Sequence, residues 1–249
     1  MLVHVDDILM TGQMDEIEKI FADLRAAMKL REEGRLERPG DKGQFLGRRL
    51  HMTEKGYDYE SGTATVRTLW AQLGLEKAKQ VDSPATKSMT SDEQTPLTEE
   101  EYIQYRSALG KELYIGHDHP VIQFATGQAA RCCAAPTKKE LRRVNRIARY
   151  LRKAPVSCWH FELTKEPSQI TGFSDSDWAG DEKTRRSTSG GILLVETGHE
   201  EEERTIAAVH AWSRAQGPIA LSSMEAEYYA LITTCQEARA LQSLLEEIL

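Results

Sequence analysis

No stretch of this 249-residue chain approaches the roughly 18 consecutive apolar residues that cross a bilayer, which excludes a spanning helix and predicts no membrane partner. No basic segment followed by an apolar one opens it either. Met1 to Asp7 reads as part of a strand, so the expectation is a cytoplasmic or nuclear protein that is not secreted. Cysteine is scarce: Cys132, Cys133, Cys158 and Cys235 show no metal-ligand spacing, and the adjacent pair would seldom bridge, so all four read as free thiols. Positive charge is in deficit as well. Against 39 Asp and Glu there are 32 Lys and Arg, a net charge of −7, which argues against nucleic-acid binding by the chain as a whole.

The average hides an asymmetry. Between Arg131 and Lys153 stand nine basic residues and one acid, Glu140; from Ile192 onward there are ten acids and three bases. A basic helix beside an acidic, metal-seeking region suits phosphate-backbone contact on one and chemistry on the other. The run 200–203, four consecutive glutamates, reads as a solvated face.

Hydrophobic periodicity places the elements. Residues 2–10 alternate around an acidic turn, as strand, turn, strand. Helical spacing covers 14–30 and 65–79, and short strands are expected at 45–50 and 56–59. The Ser-, Thr- and Pro-rich stretch 82–98 reads as a linker, followed by helices over 99–116 and 121–133. A helix opening at Pro136-Thr137 carries Leu141, Val144, Ala148 and Leu151 as its apolar stripe. Lys138, Arg142, Arg146, Arg149 and Lys153 line another face and are candidate phosphate contacts. Strands then follow at 158–163, 170–175, 191–195 and 206–212, and a helix over 223–249 starts at Ser222 or Ser223.

Acidic residues stand where distant segments can meet. The strand at 170–175 runs into Ser174-Asp175-Ser176-Asp177-Trp178-Ala179-Gly180-Asp181, and Ser222-Ser223-Met224-Glu225-Ala226-Glu227 opens the last helix. Clustered carboxylates repel unless a cation sits between them, so the pattern points to a divalent-metal site. Asp175 and Glu225 are the leading pair, Asp177 and Glu227 their rivals; Asp177 reads as structural and Asp181 as the cap of the next turn. Asp6 and Asp7 form a second acidic pair in an apolar hairpin, readable as metal ligands or as a polar turn. Arg185 and Arg186, in a donor-rich loop with Ser187 to Ser189, either hold a phosphate or sit in a turn that satisfies its own backbone. Trp178 and Trp212 read as core anchors.

These motifs resemble a family. Val5-Asp6-Asp7-Ile8-Leu9 is similar to the aspartate-pair motif in the reverse-transcriptase palm of copia-type LTR retrotransposon Pol polyproteins. Phe45-Leu46-Gly47 resembles the hairpin after it, and Leu109-Gly110 with the helix ending before Pro155 resembles the thumb and connection. The segments 172–181, 185–190 and 221–228 resemble the family's RNase H region. The resemblance implies an α/β (α+β) protein: a partial palm over 1–84, a linker over 85–98, a helical thumb and connection over 99–165, and an RNase H-like domain with a mixed sheet over 166–249. It implies Mg²⁺ at Asp6, Asp7, Asp175 and Glu225, an RNA–DNA hybrid or duplex as partner, and the other parts of the same polyprotein as further partners.

Two departures temper this. His4 stands where the family motif has tyrosine, and further carboxylates that both sites need are expected outside the chain. The expected activity of the isolated chain is therefore none, since phosphoryl transfer rests on metal positioning. The rival expectation is a non-catalytic remnant that binds nucleic acid through the basic helix 137–153.

Overall fold

The computed structural model describes residues 1–85, 94–162, 166–181, 183–198 and 204–248; most of the expected linker and the glutamate run 200–203 lie outside them. The described residues form an α+β fold of six helices and nine strands in three sheets. Strands β1 (Leu2–His4) and β2 (Asp7–Leu9) pair as a hairpin, and helix α1 (Met14–Ala27) follows with no buried residue.

A second sheet runs in the order β3 (Lys42–Phe45), β4 (Arg48–Met52), β5 (Tyr57–Glu60), β6 (Cys158–Phe161). The single strand expected over 45–50 is instead the corner of a hairpin. Leu46 and Gly47 both take positive φ, 50° and 76°, the two-residue turn that suits strand twist. Leucine carries no sequence signal for that backbone.

Helices α2 (Ala64–Leu73), α3 (Glu99–Gly116), α4 (Pro120–Ala130) and α5 (Lys138–Leu151) enclose the main core. Val66 and Leu69 of α2 pack with Tyr105 and Leu109 of α3, Ile122 of α4, and Val144, Ile147 and Leu151 of α5. Burial of this stripe, not intrinsic propensity, is the main support of such helices. Thr98 with Glu101 and Thr137 with Glu140 close capping boxes at the starts of α3 and α5. Helix α2 stops short of the expected residue 79, because Gly74 turns left-handed at φ 64°. Since β5 pairs with β6 and α2 packs on α3 and α5, segments from both sides of 85–98 share one sheet and one core.

The third sheet is β7 (Pro167–Asp177), β8 (Thr188–Thr197), β9 (Thr205–Ala215). The mixed sheet expected there is antiparallel throughout, because its strands follow one another through connections too short for a parallel crossover. Helix α6 (Ser223–Ile248) crosses β7 and β8 on Ala226, Ala230 and Thr234, spaced four apart on one face. Gly172 makes that approach possible, since a Cβ there would fall 2.6 Å from Thr234 Cγ2. On the other side, Gln123 of α4 donates its amide to Ala211 O of β9 and to Gly116 O. No helix among the described residues is long and apolar enough to cross a membrane, and all four cysteines are free.

Candidate carboxylate site and basic surfaces

Strand alternation sorts the acidic end of β7. Gly172 and Ser176 face α6, so Phe173, Asp175 and Asp177 point to the opposite side, where all three are exposed. The strand persists through Asp177, which gives both aspartates one face. Their surroundings differ. Asp177 folds over the turn, with its Oδ2 only 1.9 Å from where a Cβ on Gly180 would sit. Asp175 has no hydrogen-bond or ion-pair partner among the described residues.

Helix phase decides which glutamate meets β7. Glu225 and Glu227 lie about 200° apart around α6, on either side of buried Ala226. Glu225 turns back to its own helix start. Its Oε2 accepts from Leu221 N at 2.7 Å and its Oε1 from Tyr229 Oη at 3.0 Å, which raises the Tyr229 phenol. Ser222 is the N-cap, accepting from Glu225 N at 3.1 Å. It is Glu227 that reaches the strand, its Oε1 accepting from Ser176 Oγ at 2.8 Å and from Ser176 N at 3.3 Å, one residue from Asp175. The signal for this was present in the sequence as the small-residue stripe Ala226, Ala230, Thr234. Among the described residues no three His, Cys, Asp or Glu side chains form a group that could hold a metal ion.

The following loop satisfies its own backbone. Asp181 Oδ1 accepts from Thr184 N and Lys183 N, which holds its carboxyl below the usual range, and Oδ2 lies 3.6 Å from Arg131 Nη1. Arg185, at φ 56°, donates its N–H to Asp181 O, and Arg186 O accepts from Asp181 N. Ser187 is buried and accepts from Ala179 N. Both arginine side chains are left exposed, with no partner among the described residues.

The basic face of α5 is different. Lys138 pairs with Glu101, Lys153 Nζ with Asp82 Oδ1 at 2.6 Å, and Arg149 donates to Lys79 O at 2.8 Å. Arg152 donates to the carbonyls of Leu75 and Glu76 and lies over the Trp70 ring, while Arg143 pairs with Glu140. Arg146 is half-buried and Arg142 is exposed with a contact of its own. Arg149, Arg152 and Lys153 thus bind the chain after α2 to the end of α5. Asp6 and Asp7 are both exposed: Asp6 occupies the two-residue turn with Val5, and Asp7 begins β2 opposite His4.

No protein-family model matches the chain. It is 28% identical over 254 residues to the retrovirus-related Pol polyprotein from transposon RE1 of Arabidopsis thaliana, covering all of this chain and 16% of that protein. To the retrovirus-related Pol polyprotein from transposon TNT 1-94 of Nicotiana tabacum it is 28% identical over 265 residues, all of this chain and 18% of that protein. The secreted RxLR effector protein 161 of Plasmopara viticola is 33% identical over 138 residues, 55% of this chain and 89% of that protein. The chain thus spans about a sixth of the Pol polyproteins it matches along its whole length. Along its full length, with the motifs in order, the chain is thus similar to retrovirus-related Pol polyproteins from transposons.

Proposed function

We propose that this chain is a segment of a polyprotein built for two-metal phosphoryl transfer on nucleic acid, with RNA-directed DNA polymerase ancestry in 1–84 and RNase H ancestry in 166–249, and that it is inactive by itself. The contact of Glu227 with Ser176 carries the reading, because it fastens an acidic helix start to an acidic strand end. The proposed metal pair remains Asp175 and Glu225, since Glu227 is engaged with Ser176 on the face of β7 opposite Asp175. An oxygen-only set with one unpaired carboxylate suits a hard cation such as Mg²⁺. Bound there, the ion would neutralise phosphoryl oxygens and activate water. Asp175 would present its free carboxylate and Glu225 would join it from the start of α6, while Glu227 fastens that helix start to Ser176. Two carboxylates are a partial set, and a partial set forfeits most of the rate. Asp6 and Asp7 are proposed as the corresponding remnant of the polymerase site, and the rest of the polyprotein as the partner that completes both.

A labelled RNA–DNA hybrid with Mg²⁺ is expected to survive the purified chain uncut; cleavage abolished by Asp175→Asn would overturn the inactivity. For the ligand assignment, Mn²⁺ is expected to broaden amide signals near Asp175 and Glu225 selectively. Glu225→Gln should remove that broadening and Glu227→Gln should leave it. The reverse outcome would move the site to Glu227.

Nucleic-acid contact, the second reading, is favoured at Arg185 and Arg186 over α5, because their side chains alone of these candidates are exposed and unpaired. The double change Arg185→Glu, Arg186→Glu should weaken duplex binding about tenfold at low salt and flatten the salt slope by roughly two. An unchanged slope would return the contact to Lys138, Arg142, Arg146, Arg149 and Lys153.

A further inference from the structure

Trp178 is not the core anchor that its residue type suggests. It is 47% exposed, although tryptophan is mostly buried in folded proteins. Its indole N–H donates to Ala220 O at 3.1 Å, in the segment that leads into α6. The one polar atom of the ring is thus spent inside the protein, while about half of the residue meets solvent. Such a bond fixes the ring before any ligand arrives. Ile219 and Leu221, on either side of Ala220, are 54% and 86% exposed. Three exposed apolar side chains around one hydrogen bond mark an interaction surface, where a single one would not.

The loop on the other side of Trp178 is basic. Ala179 N donates to Ser187 Oγ at 3.0 Å, a bond with Trp178 next to one end of it and Arg186 next to the other. Lys183, Arg185 and Arg186 are exposed on this loop. The neighbouring acids are engaged or turned away. Asp181 is taken up by the N–H groups of Lys183 and Thr184 and by Arg131, and Asp177 is folded over Gly180. Glu225 accepts from Leu221 N and Tyr229 Oη, Glu227 accepts from Ser176, and Asp175 leaves β7 on the opposite face. A flat apolar plate beside unpaired cations suits a polyanion that carries flat apolar groups.

We propose that this patch binds single-stranded nucleic acid, with an unpaired base stacked on Trp178 and the flanking phosphates held by Arg185 and Arg186. Every base has a flat face, so the stack tolerates any sequence. A duplex keeps its bases stacked on one another and offers none. The phosphate half rests on the contact proposed above for the two arginines; the stacking half stands on Trp178. No covalent step is involved.

The probe is a labelled oligothymidylate about twelve nucleotides long, titrated with the full chain by fluorescence anisotropy. EDTA is present so that no metal bridges the phosphates, and an abasic oligomer of the same length and charge is the control. The oligothymidylate is expected to bind at least about tenfold tighter than the control, and Trp178→Ala to lose that preference. Trp178→Phe keeps a ring and should retain affinity within about threefold. If Trp178→Ala does not fold, intrinsic fluorescence decides: unlabelled oligothymidylate should quench the original chain, and the quenching should vanish in Trp178→Phe. The double change Arg185→Glu, Arg186→Glu should weaken both oligomers alike, which reads the phosphate contact apart from the stack. Equal affinity for the two oligomers, or undiminished oligothymidylate binding by folded Trp178→Ala, would overturn the stacking and leave the arginine contact to its own result. A dimer of the original chain that Trp178→Ala dissociates would make the patch an interface between copies and overturn the proposal as well.

Discussion

Asp118→Ala is expected to destabilise the chain by about 3 kcal/mol and lower its Tm by about 10 °C. Asp118 sits at the break between α3 and α4, where its carboxylate gathers three long-range contacts. Arg48 Nε approaches Oδ2 at 3.1 Å and Oδ1 at 3.3 Å, and Tyr59 Oη donates to Oδ1 at 3.1 Å. Trp159 Nε1 donates to the Asp118 carbonyl at 3.0 Å, so the same residue ties β5 and β6 to the helices. The Arg48 and Asp118 side chains are only 16% and 11% exposed. Removing the anion leaves a guanidinium largely out of water, still lodged over the Tyr114 ring at 5.3 Å. Desolvation of an unpaired charge, not the lost attraction, sets the size of the effect. A double change, Arg48→Met with Asp118→Leu, should recover most of the loss. Chemical denaturation measures both variants. A single-variant loss below about 1 kcal/mol, or no recovery in the double, would refute the buried-pair account.

What the sequence showed of the fold follows from what is local. Helices α3 and α5 were legible to within about two residues because periodicity and the Pro-marked breaks beside them are local. The hairpin at Leu46 was expected from the resemblance of Phe45-Leu46-Gly47 but not from periodicity, because a leucine in left-handed backbone is imposed by the strands on either side. Pairing of β5 with β6 joins residues about a hundred positions apart, and no local pattern announces it.

The candidate sites divide along the same line. Asp175 at a strand end and an acidic helix start were readable from pattern. Which glutamate touches β7 was not, because that needs the phase of α6 against the strand, which Ala226, Ala230 and Thr234 encode. The basic stripe of α5 looked like a phosphate surface because its partners are remote. Glu101, Asp82 and the carbonyls of Leu75, Glu76 and Lys79 neutralise or engage it only after folding. Net charge along a helix therefore overstated what that helix offers to a ligand. The exposed Arg185 and Arg186, modest in sequence, are the freer cations.

Glu112→Leu is the converse case, a substitution expected to stabilise. Glu112 lies on α3 among Ala108, Leu109 and Ile115, is 0% exposed, and neither carboxylate oxygen has a partner among the described residues. Burial alone pushes its pKa well above the ordinary value of 4.5. The carboxyl is thus held protonated in the native state under conditions where the unfolded chain has released its proton. Above pH 4.5 the native state binds the extra proton, so stability falls as pH rises, by up to about 1.4 kcal/mol per unit, until the native carboxyl itself ionises. Below the ordinary value both states are protonated and this loss vanishes. Leucine removes the titration and the unsatisfied oxygens while keeping similar bulk, for an expected gain of about 2 kcal/mol at pH 7. Glu112→Gln should flatten the pH dependence with a smaller gain, because an amide still lacks partners there. Urea midpoints of the three proteins at pH 5 and pH 8 decide the matter. If the original chain loses no more stability across that interval than Glu112→Leu, Glu112 is ionised and paired in solution, and the core around α3 differs from the one described.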